Sequence, residues 1–336
     1  MVKLDFDDVL IVPQFSDITS RSQVDVTTTI QGKWGTSITG VPIIAANMDG
    51  VGTFSMHRAL KKFDMFTAIT KHHMLDDWMV QEDISHAFLT IGMSDDDLCK
   101  ALDVSQYMRN KGLKPKIVID VANGYMNTFY DFVSRVRESI PDAFIMAGTV
   151  VTPEAVERVI LSGADLARVG IGTGAVCTTR RVAGVGYPQF SALMECVPAA
   201  EGVGGGVQSD GGCVFPGDFS KALAVGAQMV MAGSIFAGHD ESEQEIRDGK
   251  VTFYGMSSHA AQQKHNQVKN YRASEGRVVQ IPYKGLVEHT VIDILGGIRS
   301  TCAYIDAINI SEMSEKAQFI QVNNVLNRSL EQYTVR

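Results

Sequence analysis

Eight short apolar runs recur along the chain, each followed by turn residues and then by a stretch whose apolar positions have a helical spacing. The runs are 41–46 (VPIIAA), 66–70 (FTAIT), 87–91 (AFLTI), 116–121 (KIVIDV), 144–147 (FIMA), 166–169 (LARV), 206–209 (GVQS) and 229–232 (MVMA). Continuous apolar runs of this length suit strands buried on both faces, as in parallel sheets. Helical patterns lie between them at 53–63, 95–111, 126–140, 153–162, 188–200 and 216–225. About eight strand–helix alternations predict a single-domain α/β fold, a (β/α)8 TIM barrel, more than a doubly wound sheet.

Polar and glycine signals gather at the C-terminal ends of the runs. They include Asn47-Met48-Asp49, Lys71-His72-His73, Asp120 to Gly124, Gly148, Gly170 to Arg180, Asp210-Gly211-Gly212 and Gly233-Ser234. Barrel enzymes place their active sites on that face. One connection breaks the rhythm: after 229–233 the chain runs through 238–288 before a helical pattern at 291–305. A connection so long in a compact domain predicts an active-site flap, about 238–287, inserted after the eighth strand. It carries a hairpin pattern near 250–253 and a basic polar run from Lys264 to Arg272.

Bulk properties narrow the class. The 336 residues are 45% hydrophobic, enough for one large barrel core. Thirty Lys and Arg against 38 Asp and Glu give a net charge of −8, which argues against a nucleic-acid partner. The N-terminal MVKLDFDDVL is too acidic for a signal peptide, and no apolar stretch is long enough for a membrane span. Five cysteines (Cys99, Cys177, Cys196, Cys213, Cys302) include no C-x-x-C pair, so neither a zinc spacing nor a disulfide framework is present. A reduced, cytoplasmic protein is expected.

The candidate chemistry lies in the loop Gly170 to Arg180, GIGTGAVCTTR. Glycines bring backbone groups close to a ligand. A thiol beside cationic side chains ionises more readily and becomes more nucleophilic. Taken alone, the loop is equally an ordinary strand–helix connection with a buried cysteine.

The strings PIIAANMD, VGTFSM, IDVANGY, VGIG, VCTTR, GVGYPQ, SDGGC, FYGMSS, YRASEG and DILGGIRSTC appear in this order along nearly the whole chain. With them the chain resembles the GMP reductases of the IMP dehydrogenase/GMP reductase family. ANMD, DVANGY and YRASEG are the reductase forms, and there is no room for the CBS-domain pair that most dehydrogenases insert. The resemblance implies a barrel that reduces GMP with NADPH to IMP and ammonia through a covalent cysteine–purine C2 intermediate, in a homotetramer or larger homo-oligomer.

It also implies roles. Cys177 is the nucleophile, with Thr179 and Glu275 as the proton-handling pair. Nucleotide contacts fall to Asp210, Gly211, Gly212, Gly233, Ser234, Gly255, Met256, Ser257, Arg272, Ser274 and Gly276. Cofactor contacts fall to Lys71, Asp120, Val121 and Ala122, with Ser20 and Arg21 supplied by a neighbouring subunit. Gly172, Gly174, Cys177 and Arg180 match a monovalent-cation (K+) loop that binds through backbone carbonyls. The sequence departs from the family pattern at Thr173 (usually proline), Ala175 (usually a phosphate-binding serine), Gly50 (usually threonine) and Thr149 (usually asparagine). Three other readings stay open: oxidation of IMP, a deoxy or modified guanine nucleotide as substrate, and an inactive nucleotide-binding barrel.

Overall fold

The computed structural model describes residues 2–265 and 273–322. Its centre is a closed barrel of eight parallel strands: β4 (Ile43–Ala45), β5 (Phe66–Ile69), β6 (Ala87–Ile91), β7 (Lys116–Asp120), β8 (Phe144–Val150), β9 (Leu166–Val169), β10 (Gly206–Asp210) and β11 (Met229–Ala232). They pair in chain order, and β11 closes on β4 with Met231 opposite Ile44. Every residue of β4, β5, β6, β9 and β11 is buried, as strands covered on both faces require.

The outer helices follow the predicted spacing. The main ones are α1 (Phe54–Leu60), α3 (Asp95–Asn110), α4 (Asn127–Ser139), α5 (Pro153–Leu161), α7 (Gln189–Gly202), α8 (Pro216–Val225) and α10 (Val287–Tyr304). Local chemistry fixes their starts. The Ser94 hydroxyl accepts from the Asp97 N–H while the Asp97 carboxylate accepts from the Ser94 N–H, closing a capping box. Pro153 and Pro216 open α5 and α8, where a missing N–H does no harm. The short α2 (Leu75–Met79) and α6 (Thr179–Val182) have too few turns to register in an apolar period.

Three features lie outside the barrel. A hairpin of β2 (Thr28–Gln31) and β3 (Ser37–Gly40) plugs the N-terminal end. Its Trp34 donates backbone N–H to Asp165 (3.2 Å) and indole N–H to the Ala164 carbonyl (3.2 Å). Buried Asp165 also accepts from Arg137 (2.7 Å) and the Ile145 N–H (2.8 Å), which ties hairpin, helix and strand together. A second pair joins the two ends of the described chain: β1 (Val9–Ile11) lies against β15 (Phe319–Gln321). Third, the long connection after β11 folds as an antiparallel sheet of β12 (Ile246–Arg247), β13 (Lys250–Tyr254) and β14 (Val278–Pro282), with α9 (His259–Lys264) at its tip. The hairpin expected near 250–253 is therefore part of a three-stranded sheet. Most of the basic run that follows, including Arg272, lies outside the described residues.

Candidate active site

The cysteine loop leaves β9 through a gap that only glycine passes. A Cβ on Gly170 would lie 2.0 Å from the Asp210 carbonyl oxygen. Beyond it the Thr173 hydroxyl donates to that same carbonyl (2.9 Å), and the Cys177 N–H donates to the Gly174 carbonyl (2.9 Å). Arg180 turns its guanidinium away, onto the Asp5 carboxylate (3.0 Å) and the Tyr187 carbonyl (2.7 Å). Any part it plays in holding a cation falls to its backbone.

The excursion after β11 is zipped to this loop. The Thr178 N–H donates to the Glu275 carbonyl (2.9 Å), and the Arg277 N–H donates to the Val176 carbonyl (2.9 Å). The Arg277 guanidinium forks onto the Ala175 carbonyl (2.7 and 3.2 Å). Gly276 pairs with Cys177 on one side and Ser258 on the other; a Cβ there would meet the Ser258 nitrogen at 2.9 Å.

These contacts assemble a short proton wire. The Cys177 Sγ lies 3.2 Å from the Thr179 Oγ1, and that hydroxyl donates to the Glu275 Oε2 at 2.7 Å. A thiol, a hydroxyl and a carboxylate in series can carry the thiol proton to the carboxylate and leave a nucleophilic thiolate. The other buried thiols are unsuited to this. Burial pushes Cys196 up to about 12 and Cys302 up to about 11, and it raises Cys213 as well. Cys99 is exposed on α3.

Across the cavity, Asp120 at the end of β7 and Asp210 at the end of β10 share one buried guanidinium. Arg168 donates to Asp120 (2.7 Å) and to Asp210 (2.8 Å) from a side chain 3% exposed. Burial disfavours its charge, but the two carboxylates outweigh that and hold Arg168 above the ordinary arginine value. Arg168 was not among the expected site residues. Its signal was a lone cation inside the otherwise apolar run 166–169.

A cavity of about 300 Å³ opens at the C-terminal mouth of the barrel. It brings together Cys177, Thr179, Glu275, Asp210, Gly211, Gly212, Gly233, Ser234, Gly255, Met256 and Ser257 with Asp120, Val121, Ala122, Gly172 and Gly174. Three of the four departures from the family pattern, Thr173, Ala175 and Thr149, line it too, and Gly50 does not. Gly211 has φ +85° and gives its N–H to the Met231 carbonyl (3.2 Å), so that amide is already engaged within the barrel. Other expected residues lie outside the lining. Ser274 accepts from the His259 N–H (3.1 Å) at the start of α9, and Gly276 pairs with the cysteine backbone. The Lys71 carbonyl accepts from Lys100 (2.6 Å). Ser20 and Arg21 belong to a capped turn (Arg21–Gln23) in the N-terminal arm.

An eight-stranded barrel with a cysteine, a threonine and a glutamate in series and two bridged carboxylates at its mouth has the layout of an α/β-barrel enzyme site. Residues 91–329 match the family model described as IMP dehydrogenase / GMP reductase domain. The chain is 49% identical to human GMP reductase 2, over 97% of this chain and 96% of the relative. It is 48% identical to GMP reductase of Caenorhabditis elegans, over 97% and 93%, and 48% identical to that of Aeromonas hydrophila, over 97% and 98%. The chain belongs to the IMP dehydrogenase/GMP reductase family.

Proposed function

We propose that this protein is an NADPH-dependent GMP reductase, which converts GMP to IMP and ammonia. The observation that carries the reading is the Cys177–Thr179–Glu275 wire at the mouth of a barrel of this family. A purine 2-amino group is a poor leaving group, so direct displacement is slow. Cys177 gives its proton through Thr179 to Glu275, and the thiolate attacks purine C2. The C2–N bond then breaks, and the proton held by Glu275 returns through Thr179 to the departing nitrogen, which leaves as ammonia. The carbon still bonded to Cys177 is electrophilic and would accept a hydride; the C2–S bond then breaks with its electron pair on sulfur, IMP is released and the Cys177 thiolate takes a proton from water.

NADPH supplies that hydride when bound. Asp120, Val121 and Ala122 fit it, because they line the same cavity as Cys177 and Arg168 fixes the Asp120 carboxylate as a ribose acceptor. Asp210, held by the other arm of Arg168, suits the ribose hydroxyls of the nucleotide. Lys71 and Arg21 suit the extra phosphate of NADPH, since a dianion needs cations. The carbonyls of Gly172, Gly174, Cys177 and Arg180 suit a monovalent cation such as K+. By family resemblance Ser20 and Arg21 contact the cofactor from a second subunit of a homotetramer or larger homo-oligomer, and the full exposure of Phe15 in the same N-terminal arm supports such an assembly.

The experiment is turnover of NADPH with GMP, with ammonia measured alongside, against IMP with NAD. Stoichiometric ammonia with NADPH oxidation supports the reading; activity only in the second mixture replaces it with the dehydrogenase reaction. Including dGMP tests whether a deoxynucleotide is the substrate. Replacing K+ by a bulky organic cation should lower the rate if the carbonyl loop holds an ion.

A further inference from the structure

The flap meets the barrel at a second point that the chemistry above does not use. Asp49, on the turn after β4, is 7% exposed, and three donors from the flap converge on its Oδ2. The Tyr254 hydroxyl donates at 2.8 Å, the His265 Nε2 at 2.8 Å and the Lys264 Nζ at 3.0 Å. The His265 ring also stacks on His72, with centroids 3.4 Å apart and planes 5° apart. His72 follows Lys71 on the loop after β5.

Asp49, His72 and His265 place one potential metal-ligating atom each within 4.8 Å of one another. The arrangement is nevertheless poor for a metal. Lone pairs lie in the ring planes, and parallel stacked rings do not aim them at one point. A lysine ammonium on the shared carboxylate opposes a second cation. The donors instead meet the needs of a buried carboxylate.

From this anchor a continuous set of contacts leads into the cavity. Tyr254 and α9 bracket the turn carrying Gly255, Met256 and Ser257. The Asp49 N–H donates to the Met256 Sδ (3.3 Å). The Ser257 carbonyl accepts from the Glu275 N–H (3.2 Å) and from Gln262 (3.2 Å). Glu275 then accepts from Thr179 (2.7 Å). The flap is thus held at two places on the rim, the cysteine loop after β9 and Asp49 after β4.

We propose that Asp49 is a positioning residue for the reaction: it clasps Tyr254, Lys264 and His265, and so holds the flap where Met256 and Glu275 reach the nucleotide. The role of Glu275 in this statement rests on the function proposed above; the clasp itself does not.

The test uses the full-length protein and Asp49→Asn, which keeps the shape and removes the charge. Amide hydrogen exchange is followed without any nucleotide in 255–264 and 273–278, with the barrel strands as an internal reference. Exchange in the two flap segments should rise tenfold or more while the strands stay unchanged. In turnover, kcat for GMP should fall at least tenfold, with KM rising less. Glu275→Gln added to Asp49→Asn should reduce kcat much less than it does in the wild-type background, because the carboxylate is already misplaced. Tyr254→Phe, which deletes one hydroxyl, should give a smaller change in the same direction and covers the case in which Asp49→Asn does not fold. Unchanged flap exchange in both variants would overturn the clasp. So would a rise shared equally by the barrel strands, or a metal retained stoichiometrically by wild type and lost from Asp49→Asn. If wild type does not turn over GMP while Asp49→Asn still loosens the flap, the proposed reaction fails and the clasp survives.

Discussion

At the scale of single residues, the arrangement separates one cysteine from the rest. Cys177 faces the cavity beside a hydroxyl–carboxylate relay, whereas burial raises Cys196, Cys213 and Cys302. Brief alkylation at mildly alkaline pH should therefore modify Cys177 and the exposed Cys99, with the three buried thiols protected; mass mapping that finds Cys196 labelled as fast as Cys177 contradicts this. Cys177→Ala should abolish turnover yet leave nucleotide affinity within about tenfold, because the sulfur acts in bond making more than in ground-state binding. Calorimetric titration with GMP measures the second half of that statement, and appreciable residual turnover removes the covalent route. Glu275→Gln keeps the side-chain shape but cannot take a proton, so GMP reduction should fall by about 10²–10⁴-fold. Single-turnover hydride transfer from IMP to NADP+ still needs Glu275 to take the Cys177 proton but needs none delivered to nitrogen, so it loses one of two proton steps and should fall less. An equal loss in both directions would remove the proton delivery to nitrogen and leave Glu275 only in forming the thiolate or in packing.

At the scale of elements, the barrel was legible because its strands are short, apolar on both faces and evenly spaced. All eight predicted runs are strands, seven within a residue or two of the expected limits, while β8 runs three residues past its expected end to Val150. The site was legible where glycines and a cysteine crowd one loop. It was not legible where the decisive contact joins strands far apart in sequence: Arg168 on β9 reaches Asp120 on β7 and Asp210 on β10. A period-two or apolar-run pattern says nothing about such a bridge. The base hairpin and α2 escaped for a different reason, since each is short and half polar and gains its order from the barrel it packs on. Arg168→Met tests the bridge. It leaves two carboxylates facing each other without their buried counter-charge, so stability should drop by about 3–5 kcal/mol, as when one partner of a buried pair is removed. Urea unfolding measures this. A loss below about 1 kcal/mol would mean that water replaces the guanidinium at the strand ends.

At the scale of the whole molecule, the groups that resist protonation make the fold sensitive to mild acid. His57, on α1 and 1% exposed, is pushed down to about 3, first by burial and then by the charges of His86 and Lys61. His72 is pushed down to about 4, again mainly by burial and next by His265. A histidine with a lowered folded-state value binds a proton more readily in the unfolded chain, whose value is about 6.5. Its contribution to stability is therefore complete above about pH 6.5 and declines as the pH falls towards the folded-state value. Asp49 works in the same direction at lower pH. Burial opposes its ionisation, but Tyr254, His265 and Lys264 outweigh burial and hold it below the ordinary carboxylate value. Its contribution is present above about pH 4 and is lost as the pH falls further. The histidines thus act first. Between about pH 7 and pH 5, His57 alone should remove about 2 kcal/mol, because roughly 1.5 pKa units of differential protonation open over that range. Urea midpoints measured at the two pH values should fall for the wild-type protein. The fall should shrink in His57→Gln, which fills a similar space and does not titrate. Equal midpoints at both pH values in the wild type would show that His57 is protonated in the folded state or already neutral in the unfolded one, and the buried-neutral assignment would be lost.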